Sequence, residues 1–154
     1  MNVKTFLVIF GTRPEAIKLA PLIFQLKKEP DIKVKICVSY QHVELLNQVL
    51  NFFEIDVDYN LNIMTENQSL SNIMSKCLTQ FEKIIDKEKP QLIIVQGDTS
   101  TALSGALSGY YSKVPVAHIE AGLRTYDNYN PFPEEVNRKM IAQVATFHFA
   151  PNTV

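Results

Sequence analysis

Nowhere does the chain carry the G-x-G-x-x-G run with which a dinucleotide-binding turn lets bare backbone approach a pyrophosphate, so a nicotinamide-dependent reading loses its main support. Cysteine is scarce. Cys37 and Cys77 form no C-x-x-C pair and have no histidine at metal-ligand spacing, which points to buried reduced thiols rather than a disulfide or a zinc site. Charge of one sign is not in excess: 15 Lys and Arg stand against 16 Asp and Glu, a formal net charge of -1. These charges are scattered, leaving neither a basic stripe for nucleic acid nor a polybasic anchor for a membrane. A small molecule is the expected partner. Long apolar runs are missing too. The opening one, Val3 to Phe10, is interrupted by Lys4 and is too short to span a bilayer. It leads into Gly-Thr-Arg-Pro rather than a small-residue cleavage site, so it reads as a strand of a cytoplasmic protein.

What is present is a recurring unit in a chain of 154 residues, 46% of them apolar, enough for one core and a single domain. Val3 to Phe10 reads as a buried strand. Pro14 to Lys28 then places Ala16, Ile17, Leu19, Ala20, Ile23 and Phe24 at helical spacing. Lys33 to Ser39 follows as a strand, Gln41 to Phe53 as a helix, and Ser69 to Glu88 as a long helix with Ile73, Cys77, Phe81, Ile84 and Ile85 along one face. Gln91 to Gln96 leads into a helix opening at Asp98 or Thr99. Pro115 to Ile119 leads through a loop to a helix from Pro133 to Ala145, and Thr146 to Phe149 closes as a strand. The stretch from Phe53 to Gln68 is rich in Asn and Asp and holds a short edge strand at Tyr59 to Ile63. Unbroken apolar strands, each followed by a helix, imply a parallel sheet covered on both faces, and right-handed crossovers make it an α/β, doubly wound, Rossmann-like fold.

Ligands of such sheets bind beyond the carboxyl ends of the strands, which directs attention to the residues after Phe10, Ser39, Gln96 and Ile119. After the first strand, Thr12 and Glu15 have capping-box spacing, and Pro14 suits the first turn because its missing N–H costs nothing there. The free N–H groups and positive dipole end of that helix favour an anion. Arg13 and Lys18 are either further contacts to that anion or ordinary solvated helix charges. Pro21 predicts a kink. Asp98 is either the cap of the next helix or a functional carboxylate. His118, Glu120 and Arg124, at the mouth of a central strand, are costly unless paired or used. Glu134 and Glu135 open the last helix; Glu135 fits simple dipole stabilisation, and Glu134 fits that or catalysis. Asp98, Glu120 and Glu134 can converge on one cleft as an acid/base constellation, with Arg13 at the same rim.

Five stretches, FGTRPEAIKLAP from Phe10, Gln41-His42, QGDTSTALSGAL from Gln96, VPVAHIEAGLRT from Val114 and PFPEEVNRKMI from Pro131, resemble the amino-terminal domain of the bacterial non-hydrolysing UDP-N-acetylglucosamine 2-epimerases, members of the GT-B superfamily. The resemblance implies one half of a GT-B fold. It also implies interconversion of UDP-N-acetylglucosamine and UDP-N-acetylmannosamine for surface polysaccharide, with no metal or nicotinamide cofactor. The C2 proton leaves with UDP in an anti elimination, 2-acetamidoglucal and UDP stay bound, and UDP re-adds with a proton on the other face. By that similarity Asp98, Glu120 and Glu134 are the catalytic carboxylates, with acid and base roles unassigned. Arg13 and Lys18, together with Arg124, are substrate contacts, and Gln41 and His42 belong to a second, activating UDP-N-acetylglucosamine site.

The chain also departs from that pattern. Members of the family are more than twice this length, with a second Rossmann-like domain that supplies a catalytic histidine and most uridine contacts. The expectation is therefore an amino-terminal domain over residues 1–154, with little or no turnover by itself and a homodimer at full length. Tyr40 before Gln41-His42, and Glu66-Asn67 before Gln68, depart from the family's small residue and Pro-Gly. The alternative is a stand-alone nucleotide-sugar-binding or regulatory module without turnover, and a hydrolysing relative that releases free sugar is a further option.

Overall fold

The computed structural model describes residues 3–39, 43–63 and 68–152. Six strands and five helices alternate along it: β1 (Lys4–Phe10), α1 (Arg13–Lys28), β2 (Ile32–Val38), α2 (Val43–Phe52), β3 (Tyr59–Asn60), α3 (Leu70–Glu88), β4 (Leu92–Gln96), α4 (Ser100–Tyr111), β5 (Val116–Ile119), α5 (Glu134–Val144) and β6 (Phe147–Phe149). The strands form one parallel sheet in the order β3-β2-β1-β4-β5-β6. Chain order therefore reverses between β1 and β4, where a doubly wound sheet opens its crevice.

The period of two along each strand sends alternate side chains to opposite faces. Leu7, Ile9, Cys37, Ile93, Val95 and Val116 pack against α3, α4 and Ile141 of α5 on one face. Val8, Phe10, Ile36, Val38, Ile94 and Ala117 pack against α1 and α2 on the other. Right-handed crossovers require this division: moves toward β3 place their helices on one face, moves toward β6 on the other. Among the described residues they also leave no helix over β5 and β6 on the α1 side. There Phe6, Leu22, Leu26, Ile94, Ile119 and Phe149 border an apolar groove of about 500 Å³.

Local chemistry sets the boundaries. Thr12 caps α1 and forms the expected capping box with Glu15. The helix runs as one continuous element through Pro21, which lies on its solvent-exposed side and cannot donate to the Ile17 carbonyl. Thr99, not Asp98, caps α4, its hydroxyl accepting from the Ala102 N–H at 3.0 Å. β3 is shorter than the expected Tyr59 to Ile63. Asn62 turns left-handed at φ 46 and donates its N–H to the Asn60 side chain, an Asx turn that ends the ladder. Both cysteines are free and buried, as expected. Among the described residues no helix is long and apolar enough to cross a membrane.

Candidate active site

Gln96 is the last residue of β4, and Gly97 follows at φ +71, a conformation that suits glycine and swings Asp98 out over the sheet edge. Across the neighbouring strand, Glu120 follows β5 at φ 64, left-handed without being glycine. Such backbone persists where surrounding contacts hold it. Here they do: Gly97 donates its N–H to the Ile119 carbonyl at 2.9 Å, and Ala121 donates to the Phe149 carbonyl at 3.0 Å.

One guanidinium joins the two carboxylates. Arg138, on α5 and 5% exposed, donates to Asp98 Oδ2 at 2.5 Å, lies 3.6 Å from Glu120 Oε2 and donates to the Glu120 carbonyl. Its neighbour Asn137 donates to the Asp98 carbonyl at 2.8 Å. Glu120 also accepts from Lys18 Nζ at 2.5 Å and from Gln96 Nε2 at 2.8 Å. Burial pushes the Glu120 carboxyl up, but Lys18, Arg138 and Gln96 outweigh it and hold the group below the ordinary glutamate value. The carboxylate is thus ionised at neutral pH.

His118 supports the same turn from beneath. It is buried on β5, and its Nε2–H donates to the Gly97 carbonyl at 2.6 Å, which leaves Nδ1 unprotonated and without a partner among the described residues. Burial lowers its pKa, and the nearby charge of Arg138 acts in the same direction. A histidine depressed in the fold makes the unfolded chain the better proton acceptor, so its stabilising contribution is present above about pH 6.5 and lost as pH falls. Replacing it with Gln should therefore flatten the loss of stability between pH 7 and 5 by up to about 1.4 kcal/mol per pH unit. Urea midpoints of wild type and His118→Gln at the two pH values measure this, and parallel curves would contradict it.

The remaining expected residues divide. Glu135 is buried and organises the loop after β5: its carboxylate accepts from Arg124 at 2.8 Å and from the Thr125 N–H at 3.0 Å, and these contacts, the Thr125 N–H foremost, hold its pKa below the ordinary value. Dipole stabilisation, its expected role, leaves out this organising contact. Arg124, bound in this way, borders a cavity of about 220 Å³ with Asp98, Thr125, Pro131 and Arg138. Glu134 begins α5 one turn before Arg138, and its Oε2 is buried without a hydrogen-bond partner among the described residues. Arg13 is exposed at the start of α1, and its side chain makes no hydrogen bond or ion pair among the described residues. Gln41 and His42 lie outside the described residues.

One expectation is overturned. The N–H groups of Gly11, Thr12 and Glu15 at the start of α1 are not free to receive an anion. The Glu15 carboxylate already accepts from Gly11 N–H at 2.9 Å and Thr12 N–H at 2.7 Å, the Glu15 N–H faces the Thr12 hydroxyl at 3.5 Å, and Pro14 has no N–H.

Two residues escaped the sequence reading. Arg138 shares the buried face of α5 with Asn137 and Ile141, and a charge on that stripe is the signal that could have exposed it. Gln96 reads as the end of an apolar strand, yet its amide bonds Glu120. No group of three or more His, Cys, Asp or Glu among the described residues is arranged to hold a metal ion.

A parallel sheet whose strand tips carry carboxylates between fixed cations beside the reversal point is the layout of an α/β enzyme that binds its ligand in the crevice. A family model described as UDP-N-acetylglucosamine 2-epimerase matches residues 24–154, and the chain belongs to that family. It is 48% identical over 145 residues to the UDP-N-acetylglucosamine 2-epimerase of Bacillus subtilis, covering 94% of this chain and 38% of that protein. The crystal structure of UDP-GlcNAc 2-epimerase from Neisseria meningitidis bound to UDP-GlcNAc superposes with a TM-score of 0.92 at 48% identity, covering 96% of this chain and 40% of that one. MurG of Acinetobacter baumannii, at 14% identity and a TM-score of 0.69 over 99% of this chain and 42% of its own, shares the fold alone. The chain spans about two fifths of the length of these relatives and has the Rossmann-like architecture of one half of a GT-B fold.

Proposed function

We propose that residues 1–154 form the amino-terminal domain of a UDP-N-acetylglucosamine 2-epimerase that interconverts UDP-N-acetylglucosamine and UDP-N-acetylmannosamine when completed by a carboxy-terminal nucleotide-binding domain. The observation that carries the reading is the junction at Arg138, which gathers Asp98 and Glu120 from two strand tips. In this scheme one carboxylate takes the C2 proton while the C1–O bond breaks and UDP departs with the electron pair. The bound 2-acetamidoglucal then receives UDP at C1 and a proton at C2 from the opposite face.

A C2 hydrogen that is not alpha to a carbonyl is hard to remove, so most of the barrier falls through stabilisation of the departing diphosphate. Arg13, Lys18 and Arg124 are the cations assigned to that task, and Asp98, Glu120 and Glu134 handle protons. The full-length protein is expected to be a cytoplasmic homodimer, with Gln41 and His42 in an activating site.

The test is a coupled assay for UDP-N-acetylmannosamine, run on this chain alone and mixed with the carboxy-terminal part of a full-length relative. Activity on mixing that Asp98→Asn abolishes supports the reading. Ligand binding without turnover under both conditions would instead identify a binding module, and free N-acetylmannosamine a hydrolysing enzyme.

A further inference from the structure

The turn between β1 and α1 has the construction of an anion-binding turn. It begins with a glycine that tolerates no side chain, since a Cβ on Gly11 would lie 2.3 Å from Ser39 Oγ and 2.7 Å from Thr101 Oγ1. It ends at a helix N-terminus whose dipole favours negative charge. Yet the seat is filled from within. The Glu15 side chain folds back under the turn, is 2% exposed, and accepts from Gly11 N–H and Thr12 N–H through Oε2. Its other oxygen accepts from the Thr99 hydroxyl at 2.8 Å, the same hydroxyl that caps α4. One carboxylate thus ties together the two loops on either side of the reversal between β1 and β4.

We propose that Glu15 is a specificity-determining residue: as a built-in anion it denies the Gly11-Thr12 turn to the phosphates of a ligand and leaves them to side chains at the rim, Arg13 and Lys18. Two negative groups cannot share those N–H donors, and a phosphate approaching the turn meets a fixed charge of its own sign. This explains in physical terms how a Rossmann-like sheet can handle a nucleotide diphosphate without the glycine-rich cradle: the usual seat is occupied, and the phosphates are held further out. The inference takes the ligand class from the function proposed above, but it does not need turnover.

Inorganic pyrophosphate is the probe, titrated into the isotopically labelled chain and followed by amide resonances. Two variants are compared with wild type. Glu15→Ala removes the internal anion and exposes the two N–H groups. Glu15→Gln keeps the shape and an acceptor oxygen while removing the charge. Burial raises the Glu15 carboxyl above the ordinary glutamate value despite its donors. A carboxyl raised in the fold contributes stability at low pH that is lost as pH rises, so the neutral glutamine is expected to fold at least as well as the charged residue at neutral pH. The expected result is that pyrophosphate leaves the Gly11 and Thr12 amides of wild type in place, shifts both in Glu15→Ala, and binds Glu15→Gln at least threefold more tightly than wild type. Movement of those amides in wild type, or no gain of affinity in Glu15→Gln, overturns the proposal. Should Glu15→Ala not fold, the Glu15→Gln affinity decides alone. A chain without epimerase activity that still gives the expected shifts would refute the proposed reaction and leave the role of Glu15 standing.

Discussion

Arg138→Ala is expected to cost the fold about 3 kcal/mol, because it leaves Asp98 and Glu120 facing each other without the guanidinium that both bind. The lower end of the range for broken buried pairs applies, since Asp98 keeps 31% of its side chain in solvent and water can screen part of the loss. Against a typical domain stability of about 5–15 kcal/mol the loss is large. It corresponds to a fall of about 6–12 °C in Tm for a chain of this size. Urea or thermal unfolding at pH 7 measures it. Arg138→Lys should recover only part, because a point charge cannot serve Asp98 Oδ2 and the Glu120 carbonyl from two nitrogens of one plane. A Lys variant as stable as wild type would show that charge alone matters here, and an Ala variant within 1 kcal/mol of wild type, roughly the ceiling for an exposed pair, would remove the junction from the account of the fold.

Glu120→Gln carries the largest expected effect on catalysis, a loss of about 10²- to 10⁴-fold in kcat in the complemented assay, the range typical of a positioned acid or base. Burial pushes this carboxyl up, and Lys18, Arg138 and Gln96 bring it down past the ordinary value. It therefore remains ionised well into the acid range and suits acceptance of a proton rather than donation. The sign follows directly: a carboxyl depressed in the fold is in its active form above its folded pKa, so activity carried by Glu120 should persist at neutral pH and decline only as pH falls below the usual glutamate range. A pH–rate profile whose acid limb lies above that range would assign the limb to another group, and a Glu120→Gln enzyme within tenfold of wild type would remove Glu120 from the chemistry. The same carboxylates act on stability. Glu120 and Glu135, both depressed, contribute stability that is present above the ordinary carboxylate range and lost as pH falls through their folded values.

The architecture was legible because buried parallel strands are written as unbroken apolar runs: Leu92 to Val95 has no other plausible place than the middle of a covered sheet. Element boundaries followed wherever a side chain fixes them, as Thr12 does for α1. They slipped where the backbone decides, as at Asn62, whose left-handed turn cuts β3 short. The location of the crevice was also legible, since it depends only on strand direction and order.

What could not be read was the partnership of charges across the chain. Asp98 could be read as the cap of α4 until Thr99 proved to hold that position. Arg138 looked like one more cation in a charged helix, and only its burial beside Ile141 distinguishes it. Glu15 could be read as half of a capping box, but its bond to Thr99, 84 positions away, depends on how closely two loops approach in three dimensions. Local spacing does not encode that approach.

Cys37 on β2 and Cys77 on α3 lie in the same core cluster, and the removal of water raises both thiols, Cys77 up to about 11. At neutral pH almost none of either sulfur is thiolate, the form that reacts. The folded molecule is therefore expected to react with alkylating reagents only slowly, so that labelling would follow the opening of the core. The two sulfurs serve as an intrinsic clock for opening, readable without a dye or an added tag.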